Sequence, residues 1–180
     1  STISVTKEIE LSGLNPSGAI IDATDIPNAG YGIRVESSNV GLYDFEMLPP
    51  VVAGSEGSSS GGGYAIHATF NHTVPYSAYT NLVIENVTIE DGNRTPFDIH
   101  GYDGVLLSGL TANGSAYGNG IQLTGCNNVT DDNCSTTNKA WGSLAIYCSQ
   151  YLVPTRACAG VNPYTSRNTS SEMPRSPFGA

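Results

Sequence analysis

The feature that most constrains this fold is a short apolar-x-apolar triplet that recurs along most of the chain. Its last three copies begin at Phe97, Ile121 and Leu144, so that 24 and then 23 residues separate them (121 − 97 and 144 − 121). A period of roughly 20–50 residues is typical of repeat architectures. The five aligned copies are Ile33-Arg34-Val35, Tyr64-Ala65-Ile66, Phe97-Asp98-Ile99, Ile121-Gln122-Leu123 and Leu144-Ala145-Ile146.

Two further series of triplets follow the first within the repeat. Their apolar-polar alternation predicts half-buried strands, and the Gly, Asn and Asp residues between them predict corners. The second series is Val40-Gly41-Leu42, Leu82-Val83-Ile84 and Val105-Leu106-Leu107. The third series is Phe45-Glu46-Met47, Val87-Thr88-Ile89 and Leu110-Thr111-Ala112.

Three strands and three corners in each repeat of about 23 residues predict a triangular coil. We therefore predict an all-β solenoid, a parallel β-helix of about five to six coils whose apolar side chains stack along one axis. The opening segment fits as an irregular first coil, with Ile9 and Leu11 facing inward. A β-sandwich is the competing fold, but it does not explain why the triplets recur in the same order.

The repeat is predicted to occupy residues 1–150, with loop insertions at 49–63 and 71–79. Residues 151–180 are rich in Pro, Ser and Thr and lack the pattern. We expect them to form an extended tail that packs against the repeat or against a neighbouring molecule.

The chain is strongly acidic, with 16 Asp plus Glu against 7 Lys plus Arg and a net charge of -9. Such a surface repels nucleic acid and anionic membranes, so we exclude both as partners. It also disfavours polyuronate substrates unless Ca²⁺ or a local basic patch compensates. No apolar run approaches the roughly 20 residues of a membrane span. The opening segment is strand-like, which predicts a mature terminus or a start within a longer chain.

Seven N-x-Ser/Thr sequons are present, whereas this composition would produce about three by chance. The excess predicts a secreted, extracellular protein that carries N-linked glycans. The sequons begin at Asn71, Asn86, Asn93, Asn113, Asn128, Asn133 and Asn168.

Four cysteines lie in the C-terminal third, at Cys126, Cys134, Cys148 and Cys158. An even number in an extracellular chain predicts two disulfides, and all three pairings remain open. A zinc site is the alternative, although no C-x-x-C pair is present. The pair Asp131-Asp132 is expected in a solvated corner loop.

Gly-Ile-x-Val/Leu strands are followed by Asn-Val-x-Leu turns, as in 31–35 and 38–42. In these motifs the chain resembles the right-handed parallel β-helix proteins of the pectin-lyase-like superfamily, over about residues 3–150. The resemblance implies a right-handed single-stranded solenoid. It leaves function open, because that superfamily includes polysaccharide lyases, glycosidases, epimerases, adhesins and structural spikes.

Because triplet ends point inward, the middle residue and the residue after each triplet are predicted to form two outward columns. The first column is Arg34, Ala65, Asp98, Gln122 and Ala145. The second column is Glu36, His67, His100, Thr124 and Tyr147. From these columns the candidate catalytic residues are His67, Asp98, His100, Arg34, Glu36 and Tyr147.

This set is suited to removing the proton α to a sugar carboxylate. A neutral His67 or His100 would act as the base, with Tyr147 or the other histidine as the acid. Arg34 would neutralise the substrate carboxylate, and a neighbouring Asp or Glu would raise the pKa of a histidine. The alternative is an exposed polar β-face without chemistry.

The segment Phe97-Asp98-Ile99-His100 is similar to the Phe-Asp-Pro-His motif of mannuronan C5-epimerases, which are also β-helix proteins. This resemblance implies catalytic roles for Asp98 and His100. Ile99 replaces the proline, and Thr95 and Thr124 stand where a tyrosine and a second aspartate are expected. The epimerase activity therefore does not carry over directly.

We predict no metal and no other cofactor. A facial cluster of His67, His100 and Glu36 and a Ca²⁺ site at Glu90 and Asp91 are the two alternatives. Nothing else in the sequence fixes either of them.

A structural or assembly role ranks first among the functions. The ends of the solenoid are expected to be open, because no capping helix precedes Ile3 and only the tail follows Tyr151. We expect subunits to stack end to end into an extracellular filament. The alternatives are a polysaccharide lyase, epimerase or hydrolase, and a glycan-binding or adhesive module.

Overall fold

The computed structural model describes residues 1–14, 18–26, 30–51, 63–68, 79–92, 94–115, 117–139, 141–147, 164–167 and 170–171. Within these ranges the chain is all-β, and no residue is helical. Accordingly, the described segments contain no helix that is long and apolar enough to cross a membrane. The strands are β1 (Ile3–Val5), β2 (Ile9–Ser12), β3 (Ile20–Asp22), β4 (Tyr31–Val35), β5 (Val40–Leu48), β6 (Tyr64–Ala68), β7 (Tyr79–Gly92), β8 (Phe97–His100), β9 (Tyr102–Ser108), β10 (Thr111–Ser115), β11 (Asn119–Thr124), β12 (Asn127–Asp132), β13 (Ser135–Lys139), β14 (Gly142–Tyr147), β15 (Tyr164–Arg167) and β16 (Ser170–Ser171).

The strands form two parallel sheets. The first has six strands in the order β1-β4-β6-β8-β11-β14. The second has ten strands, which form two rows. One row contains β2, β9, β12 and β15, the other contains β3, β10, β13 and β16, and the long strands β5 and β7 belong to both. These two strands are long because each passes through a corner, at Asp44 and at Asn86, where the backbone φ is 59° and 53°. Asn and Asp tolerate this left-handed conformation better than most residues.

The chain visits these rows in a fixed order. It leaves the first sheet, enters the row of β9 and β12, continues to the row of β10 and β13, and then returns to the first sheet. The tail follows the same order, since β15 pairs with β12 and β16 pairs with β13. Pairing in the second sheet thus continues past residue 150, at β15 and β16.

One interior row runs the length of the first sheet. Phe97, Ile121 and Leu144 are aligned in register, as the triplet pattern predicts. Burying a side chain of this size contributes about 1.5–3 kcal/mol to stability. The complete row is Ile3, Ile33, Ile66, Phe97, Ile121 and Leu144.

The predicted register of β6 is wrong by two residues. Ile33 pairs with Ile66, whereas the triplet alignment placed it opposite Tyr64. A slip of two residues keeps every side chain on the same face of a strand, so periodicity alone does not detect it. Tyr64 lies instead opposite Tyr31, with 5.8 Å between the ring centroids.

The first repeat unit is incompletely covered. Ile9 pairs with the buried Val40 but is 40% exposed, in contrast to the expectation that it is interior. Leu11 is half-buried and packs against the core, as expected. No strand of the described residues lies beyond β1, β2 and β3 to cover the outer face of this unit.

The expected disulfides at Cys126 and Cys134 are absent, because both thiols are free and buried. They lie on either side of β12, whose six residues span about 20 Å at 3.3 Å per residue. A disulfide requires Cα atoms within about 7 Å, so these two cysteines do not pair with each other. The other two cysteines, Cys148 and Cys158, lie outside the described residues.

The acidic pair Asp131-Asp132 does not lie in a loop. Asp131 was expected in a solvated loop, but it lies on β12, opposite Leu107, and its exposed fraction is 0%.

The sequons at Asn86, Asn128 and Asn133 are exposed at corners with positive φ, and Asn113 lies half-buried on β10. The sequons at Asn71, Asn93 and Asn168, like most of insertions 49–63 and 71–79, lie outside the described residues.

Candidate functional site

The outward residues of the first sheet form a column that differs from the predicted one at a single place. Because β6 is shifted by two residues, His67 replaces Ala65 in the column. Ala65 is buried instead, with an exposed fraction of 1%. The column is Arg34, His67, Asp98, Gln122 and Ala145. His67 is therefore the direct neighbour of Asp98 on the next strand.

Asp98 is the centre of the site. One carboxylate oxygen, Oδ2, lies 3.0 Å from Nδ1 of His67, and the other, Oδ1, lies 2.8 Å from Nε2 of His100. Gln122 also donates its Nε2–H to Oδ1, at 2.9 Å. These three side chains cover the carboxylate, so Asp98 is only 1% exposed although it points outward.

The hydrogen bonds decide the charge of Asp98. Burial disfavours ionisation, but the hydrogen bonds from His100 and His67, with the positive charge those rings can carry, outweigh it and lower the pKa to about 2. An ionised carboxylate is only an acceptor. Each imidazole therefore donates from the nitrogen that faces Asp98, which leaves the other nitrogen of each ring with a free lone pair in the neutral form.

His67 packs against two tyrosine rings that were not among the predicted site residues. Its ring centroid lies 4.8 Å from that of Tyr31 and 4.8 Å from that of Tyr64. Burial raises the pKa of Tyr64 to about 12, with a smaller contribution from the charge of Asp98. The two tyrosines occupy the same place in successive repeats, two residues before Ile33 and Ile66. This recurrence was the signal in the sequence that could have found them.

Two arginines flank the tyrosines. The guanidinium carbon of Arg94 lies 4.3 Å from the ring centroid of Tyr64, and that of Arg34 lies 5.4 Å from the centroid of Tyr31. Arg34 also forms an ion pair with Glu36, at 2.6 Å. Glu36 thus binds Arg34, whereas the sequence analysis assigned it to a histidine. Arg94 was not among the predicted residues.

Tyr147 reaches the centre of the site only through other residues. Asn119 donates its Nδ2–H to the Tyr147 hydroxyl at 3.4 Å and to Oε1 of Gln122 at 3.1 Å. Gln122 in turn binds Asp98. Tyr147 is 45% exposed. It therefore lies at the edge of a hydrogen-bond network, two strands away from His100.

Three residues of the described chain could hold a metal ion together. They are His67, Asp98 and His100, called the His/Asp cluster below, and their ligand atoms lie within 4.8 Å of one another. Glu36 was the third ligand expected from the sequence, but Asp98 takes this place beside the two histidines. The alternative Ca²⁺ site at Glu90 and Asp91 involves a side chain outside the described set.

Comparisons with protein-family models, with curated proteins and with solved structures gave no match to this chain.

Proposed function

We propose that the chain is a right-handed single-stranded parallel β-helix of the pectin-lyase-like type, and that the His/Asp cluster on its first sheet acts on an acidic polysaccharide. The fixed order in which the chain visits its three rows of strands supports the fold. Successive parallel strands joined through two other rows form the coil of a solenoid.

One observation carries the enzymatic function: a single buried carboxylate, Asp98, binds both His67 and His100. Each histidine is thereby oriented, and each keeps one free nitrogen. The side chain of His100 is more exposed than that of His67, 22% against 12%. We assign His100 as the base and Asp98 as the group that orients it and stabilises the imidazolium, as the aspartate does in a catalytic triad.

The proposed reaction uses His100 on β8 as the base and Arg34 on β4, two strands away, as the cation that reaches the substrate. Nδ1 of His100 accepts the proton that leaves the carbon α to a uronate carboxylate, and the C–H electron pair becomes part of an enediolate. Arg34 neutralises this charge. Elimination of the 4-linked sugar, whose leaving oxygen takes a proton from the His100 imidazolium or from water, then gives an unsaturated end, whereas protonation of the opposite face by water gives the epimer.

Two arginines near the histidines support an anionic substrate. The whole chain carries a net charge of -9, which would repel a polyuronate. Arg34 and Arg94 nevertheless flank Tyr31 and Tyr64 beside the histidines. Although Arg34 is also paired with Glu36, these two guanidinium groups are the positive charges near the histidines that a polyuronate could contact on an acidic protein.

The test is incubation of the purified protein with a panel of polyuronates, with and without Ca²⁺. We expect unsaturated products, detected by ultraviolet absorbance, or epimerised residues, detected by proton NMR. His100→Ala and Asp98→Asn should lower the rate by at least 100-fold. Asp103→Asn is the matched control, because Asp103 binds Asn128 on the other sheet. Absence of turnover on every polymer would refute the proposal.

An extracellular location and N-linked glycans belong to the same proposal. Asn86, Asn128 and Asn133 support it, because all three sequons lie at exposed corners that an oligosaccharide can occupy without entering a sheet. Release of glycans with a peptide N-glycosidase converts each modified Asn to Asp. Peptide mass spectrometry of protein from its native source should detect this change at these positions, and unmodified peptides at all three would contradict it.

End-to-end assembly is the second candidate function, and the first repeat unit favours it. Ile3 and Ile9 are 39% and 40% exposed, although they continue interior rows that are otherwise buried. Among the described strands none pairs with the outer edge of β1 or β2, and an open edge of this kind invites pairing with another chain. A second copy that stacks here, its last repeat unit against this first one, would cover both.

Electron microscopy tests this assembly. We expect rods with an axial repeat, which Ile9→Lys should abolish. Ile20→Lys is the control, because Ile20 is 58% exposed but points outward, opposite Glu46. Monodisperse particles of one subunit in the unmodified protein would exclude assembly.

A further inference from the structure

We infer that His67, Asp98 and His100 form a binding site for one divalent transition-metal ion of the zinc class. This inference goes beyond the proposed function, because the binding of an ion requires neither a polysaccharide nor turnover. It is carried by the convergence of three ligand side chains on one point of the first sheet.

The separations of the ligand atoms suit a single ion. Nδ1 of His67 and Nε2 of His100 lie 3.0 and 2.8 Å from the two oxygens of Asp98. No two of the three ligand atoms are more than 4.8 Å apart. Ligands at about 2.0–2.2 Å from a zinc ion lie about 3–4 Å from one another. The widest separation must therefore shorten for all three atoms to bind one ion.

The ligands are supplied by neighbouring strands of one sheet. His67 lies on β6, and Asp98 and His100 lie two residues apart on β8, so that all three leave the same face. This arrangement does not depend on a loop. A site on regular strands holds its geometry more precisely than a site on a loop.

Contacts outside the cluster hold the ligands in place. Tyr31 and Tyr64 both pack against the His67 ring, and Gln122 donates a hydrogen bond to the carboxylate of Asp98. Outer residues of this kind fix the rotamers of metal ligands, and their loss typically lowers metal affinity by about 10–100-fold.

The ligand set selects the class of ion. Two imidazoles and one carboxylate suit zinc and the neighbouring transition metals, whereas calcium and magnesium take oxygen ligands. Three protein ligands leave at least one coordination position open. The partly exposed side chain of His100 gives an ion in solution access to the cluster.

The ion would take the place of the protons that His67 and His100 now share with Asp98. In each neutral ring the N–H that faces Asp98 breaks, its proton is transferred through water to the other ring nitrogen (Nε2 of His67, Nδ1 of His100), and the freed lone pair binds the metal. The metal thus removes the hydrogen bonds that orient the proposed base. In a protein with both properties, zinc therefore inhibits turnover.

The test is calorimetric titration of chelator-treated, full-length protein with ZnCl₂. We expect one ion per chain, with binding weakened at least tenfold in His67→Gln, His100→Gln and Asp98→Asn. Gln122→Ala should weaken it by about tenfold through the outer contact. Asp103→Asn is the matched control, because it changes a carboxylate that binds Asn128 on the other sheet and should leave the affinity unchanged.

Two further measurements keep the outcome decisive. Circular dichroism of each variant shows whether it is folded. If a ligand variant has lost its strands, the zinc affinity of Gln122→Ala relative to the unmodified protein serves as the test instead. Substitution of Co²⁺ for zinc reports nitrogen ligands through its visible absorption. Failure of the unmodified protein to bind zinc would overturn the inference, as would equal binding in all variants or an equal loss in Asp103→Asn. None of these readouts depends on polysaccharide turnover.

Discussion

Asp98 and His100 lie two residues apart on β8, so their side chains leave the same face of the strand and meet at 2.8 Å. The register of β6 adds His67 from the neighbouring strand. Asp98 is thus a buried carboxylate, and hydrogen bonds from His100 and His67 stabilise its charge. Removing one partner of a buried charged pair is more destabilising than removing an exposed one, and this difference can be measured.

We predict that Asp98→Asn destabilises the metal-free protein at pH 7 and that the effect disappears in acid. The folded-state pKa of Asp98 is about 2, below the ordinary value of 3.8. Its ionised form therefore stabilises the fold above about pH 4, and this contribution is lost as the pH falls through 2. The shift corresponds to about 2 kcal/mol. Urea unfolding at several pH values measures the difference, with Asp103→Asn as the control. A pH-independent difference would contradict the prediction.

A close backbone approach inside the sheet gives a second prediction. A Cβ atom added at Gly120 would lie 2.7 Å from the carbonyl oxygen of Ser143 and 2.7 Å from Cβ of Thr136. Neither atom belongs to the end of a flexible side chain. Gly120→Ala should therefore lower the free energy of unfolding by about 1–3 kcal/mol.

Gly142→Ala is the matched control for this substitution. Gly142 lies on the adjacent strand, and an added Cβ would meet only Asn119 Oδ1, at 3.6 Å. This is an ordinary van der Waals contact, so we expect little change in stability. Equal urea midpoints for the two variants would show that the backbone approach at Gly120 relaxes without cost.

The buried thiols give a third prediction. Burial raises the pKa of Cys126 to about 11 and that of Cys134 to about 12. Because the thiolate is the reactive form, neither cysteine should be alkylated by iodoacetamide in the folded protein at pH 8. Peptide mass spectrometry should find both labelled only after unfolding in urea. Rapid labelling of the native protein would contradict the burial of these side chains.

The interior of the fold was predictable from the sequence because it repeats. Phe97, Ile121 and Leu144 recur at nearly constant spacing, and their alignment follows directly from a parallel register. Across the longer insertion between Ile33 and Ile66 the spacing is irregular, and the prediction slipped by two residues. Sequence alternation determines the face of a strand, whereas register over a long insertion depends on packing.

The site was only partly predictable for the same reason. His67, Asp98 and His100 were named, but the contact between His67 and Asp98 depends on the register of β6. The burial of Asp98 was not predictable, because it arises from neighbouring side chains on other strands. Asp131 was predicted in the opposite sense. Two adjacent acidic residues suggest exposure to solvent, but Asp131 is buried on an interior row.

The shared interior row leads to the last prediction. Phe97 is fully buried between Ile66 and Ile121 on the neighbouring strands. Phe97→Ala removes a ring from a continuous stack that cannot collapse without shifting a strand, so we expect a loss of about 3–5 kcal/mol in the free energy of unfolding. Leu106→Ala is the control, because Leu106 points outward on β9 and is partly exposed. Its loss should be smaller by at least half. Urea denaturation followed by circular dichroism measures both, and equal losses would mean that Phe97 does not belong to a tightly packed row.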